Sequence, residues 1–224
     1  MDIGAIGDHV AAAGLAFRGA FHPAPDDMAP PGTGTLVLVG FTGQHEWPAF
    51  SDSPEASDGR PDPLDRWSRR VIGATAGDLG ATALFPFGGP RFLPFQRWAM
   101  KAEPVRPSPL GILIHPDWGL WHAYRGALAF AERLSLPPPD TRPSPCDSCA
   151  AKPCLSACPV DAFGPAGYDV PACVRHIASP AGSDCMGGGC LARRACPIGV
   201  VHRHAPEQAR FHLSAFLRAQ TEQP

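Results

Sequence analysis

All eight cysteines of this 224-residue chain lie between Cys146 and Cys196. They form two runs that each end in Cys-Pro: Cys146-x2-Cys149-x4-Cys154-x3-Cys158-Pro159, then Cys173, Cys185-x4-Cys190-x5-Cys196-Pro197. That number suits iron, because a [4Fe–4S] cluster takes four thiolates and a chain with two clusters lends the last cysteine of one run to the other run's cluster. The crossing assigns Cys146, Cys149, Cys154 and Cys196 to one cluster, and Cys158, Cys173, Cys185 and Cys190 to the second. Two four-cysteine zinc sites would use the same residues, but only Cys146/Cys149 has CxxC spacing, and zinc requires neither Cys-Pro nor crossing. Disulfides are the third option, and they belong to exported chains.

The opening stretch carries Asp2 and Asp8 where an export signal has a basic region, and its apolar part is short and broken by glycine. The expectation is a cytoplasmic protein with no membrane span, in a reducing compartment that suits thiolate-bound iron. A net charge of −2 provides no basic field for phosphates, which argues against nucleic acid as an obligate partner. Lysine occurs only at Lys101 and Lys152, arginine taking its place, which reads as genome composition before function.

The elements that must hold these residues read as two domains, 1–136 and 137–224. Helices are expected over 4–13, 63–78 and 95–102, and buried apolar strands over 35–41 and 81–87, with a further strand at 15–21. Residues 46–62 read as a loop, and Asp62-Pro63 as a capped helix start. The pair 110–115 and 123–130 reads as strands around Pro116-Asp117-Trp118-Gly119. The proline-dominated stretch 136–145 is the expected linker. Pro206 opens a last helix with Phe211, Leu213, Phe216 and Leu217 available to dock.

Some 140 residues precede the cysteines, more than an electron carrier needs. Within them, Ile114-His115-Pro116-x-x-Gly119-x-Trp121-x-Ala123-x-Arg125-Gly126 resembles the Ile-His-Pro-x-x-Gly-x-Trp-x-Ala-x-Arg-Gly motif of the CblC-type cobalamin-processing family, matched at each fixed position. Weaker similarity reaches the strand Thr35–Val39 and the segment Phe95-Gln96-Arg97-Trp98-Ala99, so that the likeness covers about residues 15 to 130. The cysteine module is similar to that of epoxyqueuosine reductases and reductive dehalogenases, where it sits beside a cobalamin. Both resemblances point to a corrinoid.

The resemblance implies an α+β protein, with a nitroreductase/flavin-reductase-like mixed-sheet domain followed by a small ferredoxin-like dicluster domain. It implies an oxidoreductase that binds cobalamin and removes its upper ligand, by decyanation or dealkylation, with electrons passed from a donor reductase or ferredoxin through two [4Fe–4S] clusters. His115, Gly119, Trp121, Arg125, Gly126 and Gln96 would line the corrinoid, with Trp118 adding flat apolar surface and Arg125 acting on an anionic co-substrate or the corrin rim. The plainer readings make His115 a turn residue and Trp121 a core residue, whereas an arginine in an apolar strand asks for an anion. His202 and His204 are either exposed or tune cluster sulfur, and Gly187–Gly189 allow close backbone approach. Competing functions are a dicluster electron carrier whose first domain docks a partner, an epoxyqueuosine-reductase-like tRNA-modifying enzyme, and a flavin-binding variant.

Overall fold

The computed structural model describes residues 2–89 and 92–221. It is an α+β protein divided into two compact units, Met1–Pro104 with His122–Arg142, and Val105–Trp121 with Pro143–Pro224. Each is built around its own apolar interior.

The first unit begins with α1 (Ile3–Ala12) and β1 (Ala16–Phe21), followed by β2 (Thr35–Thr42). Two short helices, α2 (Trp47–Ser51) and α3 (Pro54–Ser57), precede the long α4 (Pro63–Leu79), β3 (Thr82–Leu84) and α5 (Phe95–Ala102). The chain then leaves for the second unit, where β4 (Arg106–Pro107) and β5 (Leu113–Ile114) pair, and returns for β6 (His122–Phe130). The four strands order β1-β2-β6-β3. Leu36, Val37, Leu38 and Val39 are all fully buried, and because successive side chains point to opposite faces, both faces of β2 must be covered. Helices α1 and α5 pack on β1, and α4 packs on β6 and β3.

A polar network is buried in this apolar frame. Arg18 of β1 has no exposed surface. Its Nε and Nη2 donate to the two Glu103 oxygens at 2.9 and 2.7 Å, and its Nη1 donates to Phe41 O at 2.8 Å. Tyr124 donates to the same carboxylate at 2.6 Å, and burial pushes its phenol well above the usual range, with the negative Glu103 adding to it. A fork-to-fork pair of this kind is directional, so it fixes the start of β6 against β1 and the end of α5.

Several elements differ from the expectation. The sheet is antiparallel throughout and not mixed. Residues 46–62 contain α2 and α3, because Pro48 and Pro54 suit first helical turns and Trp47 and Phe50 are buried, Phe50 lying 6.0 Å from Trp67. Asp62 makes no side-chain cap bond; its φ of 51° lies outside the extended region that capping side chains use. The strand expected over 81–87 stops at Leu84, since Pro86 has no N–H for the ladder; Pro90, in the turn expected after it, lies outside the described residues. Of 110–115 only Leu113–Ile114 is strand, because Gly111 turns at φ +76° with its N–H on Ser108 O.

The second unit carries the cysteines on short elements: α6 (Pro153–Ser156), the hairpin β7 (Phe163–Gly164) and β8 (Gly167–Tyr168), α7 (Val170–Ile177), α8 (Ser183–Gly188) and α9 (Leu191–Arg194). Helix α10 (Pro206–Thr221) closes it by packing on α8 and α7. Residues 105–121, expected with the first domain, belong here, because Leu110, Ile114 and Leu120 form one core with Ala192 and Cys196. Cys146, Cys154, Cys158 and Cys190 pack against that core. No helix among the described residues is long and apolar enough to cross a membrane.

Candidate metal centre

The local chain explains where each sulfur sits. Pro153 opens α6 and places Cys154 in its first turn. Asp169 caps α7 by accepting the Ala172 N–H at 2.8 Å, which sets Cys173 one turn in. Cys185 rides on α8, whose end is turned by Gly189 at φ +90° with its N–H on Cys185 O at 2.8 Å. Cys190 occupies the N-cap position of α9 without a side-chain cap bond, and the nearby Ala192 and Arg193 N–H groups favour its thiolate against the cost of burial. Cys158 Sγ accepts the Ala162 N–H at 3.4 Å. The third of the glycines Gly187–Gly189 thus ends a helix.

Which sulfurs are neighbours is read from their mutual repulsion. Burial pushes the Cys146 and Cys154 thiols up, and repulsion from Cys196 and Cys149 adds to both. Cys196 is raised by burial and by Cys149. Cys173 is raised by burial, then by Cys158 and Cys185, and Cys190 by burial, then by Cys185 and Cys173. The sulfurs therefore gather as 146/149/154/196 and 158/173/185/190. Cys146, Cys149, Cys154 and Cys196 also line one small cavity, walled by Ile114 and Ile198.

Such a set fits a cationic group. Burial raises the Cys146, Cys154 and Cys196 thiols of the first set and Cys173 and Cys190 of the second, and a bound metal reverses that by supplying positive charge. Among the described residues no three His, Cys, Asp or Glu are grouped tightly enough for a metal ion, while the sulfurs of each set share a neighbourhood. Tyr168 donates to Cys173 and stacks on Phe163 at 4.7 Å, giving the second set an additional hydrogen bond.

The motif around His115 is anchored in the same unit. His115 and Gly119 exchange backbone bonds of 2.8 and 2.9 Å, closing a tight hairpin. His115 is 3% exposed, its Nδ1 accepts the Asp117 N–H at 3.0 Å, and its ring stacks on Trp118 at 3.9 Å. Accepting at Nδ1 places the ring proton on Nε2. Gly119 sits at φ +58°, and a Cβ there would lie 2.1 Å from Ile198 O. A Cβ on Gly199 would likewise come within 2.4 Å of Trp118. The hairpin thus seats the turn that follows Cys196-Pro197. Trp121 is buried beneath the Arg193 guanidinium, 4.4 Å from its ring centre, and edge-on to His204.

The other site residues belong to the first unit. Arg125 pairs with Asp65, donates to Ser68 Oγ at 3.0 Å and lies over the Phe87 ring. Burial pulls its pKa down while Asp65 holds it up; the anion expected from its placement in a strand is met within the chain. Gly126 is required by α4, since a Cβ would lie 2.7 Å from Ile72 Cδ1. Gln96 is exposed on α5. Arg18 and Glu103 were not singled out from sequence, although Arg18 in the apolar strand Ala16–Phe21 offered the same signal as Arg125.

His204 is held neutral, its pKa lowered to about 2 by burial and by the nearby Arg193 and His212. In the unfolded chain it titrates near 6.5. The unfolded state therefore binds more protons below that value, so this contribution to stability is complete above about pH 6.5 and declines as pH falls toward 2. Between about pH 7 and about pH 5 the melting temperature of His204→Gln is expected to fall less than that of the wild type; parallel curves would show that His204 is not the group being charged.

No family model matches the sequence, and no curated protein matches it.

Proposed function

We propose that the chain is a two-cluster iron–sulfur oxidoreductase that binds a corrinoid and reductively removes its upper ligand. The observation that carries the redox half is the crossing: Cys196, from the second run, shares its neighbourhood and a cavity with Cys146, Cys149 and Cys154, as a dicluster chain requires and a pair of independent zinc knuckles does not. In this reading the cysteine unit is the ferredoxin-like module and the first unit the nitroreductase-like domain that the resemblance implies. Bound clusters would supply single electrons at low potential.

The chain's own groups do the remaining work. The thiols of each set give up protons on loading and hold the iron, the N–H groups of Ala192, Arg193 and Ala162 lower the energy of the sulfur anions, and the apolar wall of Ile114 and Ile198 keeps water from the first set. The corrinoid half rests on the resemblance of Ile114–Gly126 to the cobalamin-processing motif. With cyanocobalamin as substrate, one electron takes Co(III) to Co(II), the Co–C bond breaks, and cyanide leaves with the bonding pair and takes a proton from water. Anaerobic titration of the dithionite-reduced full chain with cyanocobalamin is expected to replace the Co(III) absorbance by that of Co(II) faster than dithionite alone does. An unchanged rate at stoichiometric protein would remove the corrinoid from the proposal while leaving the clusters in place.

A second reading is favoured by one observation. His115 spends Nδ1 on its own turn, and Arg125 is already paired with Asp65. With those groups committed, the chain would serve as a dicluster electron carrier, and the same titration separates the two: a carrier reduces a partner protein and leaves cyanocobalamin untouched.

A further inference from the structure

The second unit contains a cavity of about 440 Å³ lined by β7, β8, α10 and the start of α9. Of the eight cysteines only Cys190 lies on its wall, so it is separate from the space shared by the first sulfur set and is not the interior of the second. Its volume falls within the roughly 300–1,000 Å³ of small-molecule sites. Trp121, Phe163, Tyr168 and Phe216 supply flat apolar surface, which favours a planar ring system.

Two polar groups on this wall have donors to spare. Arg193 spends Nε and Nη2 on a single carbonyl, Leu120 O, at 3.0 and 2.5 Å, and no carboxylate is among its partners. The Cys190 sulfur is its negative neighbour, but a guanidinium has five donors and stays charged, so two N–H groups on one carbonyl leave donors for a further anion. Trp121, 1% exposed, has its Nε1–H buried with no acceptor, a rare condition for an interior donor. A cation and an N–H donor beside aromatic walls together describe the complement of one kind of molecule.

We propose that this cavity binds a planar aromatic carboxylate or a similar ring bearing an anionic acceptor group, with the anion on Arg193 and Trp121 Nε1–H and the ring among Trp121, Phe163, Tyr168 and Phe216. This goes beyond the proposed redox function and needs no corrinoid. The occupant lies against the wall that carries Cys190, which places it at the edge of the second sulfur set.

The test is isothermal titration of the anaerobically isolated full chain with naphthalene-2-carboxylate and, in parallel, with the neutral naphthalene-2-carboxamide. Saturable one-to-one binding of the carboxylate is expected, about 10-fold or more tighter than that of the amide, in keeping with the weight of a charge-assisted hydrogen bond. Arg193→Gln should erase that preference while leaving amide binding unchanged, Arg193→Lys should restore part of it, and Trp121→Phe, which keeps a ring but removes the donor, should weaken the carboxylate several-fold. Iron content and circular dichroism, read on each variant, separate loss of the site from loss of the fold. Equal affinity of the wild type for acid and amide, or no saturation by the acid in the millimolar range, overturns the proposal whatever the iron content proves to be.

Discussion

Cys196→Ala is expected to remove the same cluster as Cys146→Ala, although fifty positions separate the two residues in the sequence. Each variant should fall from about eight to about four irons per chain and keep the same remaining electron paramagnetic resonance signal. Cys158→Ala and Cys190→Ala should form the complementary class, retaining the other signal. The reason lies in the sulfur neighbourhoods: Cys196 raises Cys146 and Cys154, whereas Cys190 is raised by Cys185 and Cys173. If Cys196→Ala instead grouped spectrally with Cys190→Ala, each run would hold its own metal and the crossed assignment would be lost. Zinc in place of iron in the wild-type protein would end the redox reading altogether.

The second large effect is expected from Gly119→Ala. At φ +58° an alanine incurs roughly 1–2 kcal/mol of backbone strain. Its Cβ would also lie 2.1 Å from Ile198 O and 2.7 Å from the Ile198 carbonyl carbon, so the turn after Cys196 must move. Gly111→Ala is the internal control: its φ is +76°, but nothing lies within 4 Å of the added Cβ. The control should lose only the strain, a fall of roughly 2–8 °C in melting temperature with full iron content. Gly119→Ala should lose more stability and, by displacing Cys196, about half of its iron. Full iron in Gly119→Ala would show that the hairpin does not position the eighth thiolate.

The sequence was most legible where chemistry or periodicity is local. The apolar run from Thr35 is the central buried strand, and the helices opened by Pro63, Phe95 and Pro206 stand where proline placement and amphipathic spacing put them. It was least legible where a residue's role depends on what packs against it. Asp62 has a capping side chain, but its backbone angle prevents capping. Arg18 and Arg125 are alike in sequence, each an arginine within an apolar strand, and only the fold supplies Glu103 to one and Asp65 to the other. Pro48 and Pro54 read as loop residues until Trp47 and Phe50 find an interior to bury.

Cysteine number, the two Cys-Pro endings and the expectation of crossed pairing are properties of the chain as written, because thiolate chemistry depends on which residue types are present and in what order. The destination of residues 105–121 was not, nor was the role of Gly119 as the seat of the Cys196 turn. Those were decided in three dimensions: Leu110, Ile114 and Leu120 gain more by closing over Ala192 and Cys196 than the unbroken order of the chain suggests, since apolar burial is indifferent to distance along the sequence.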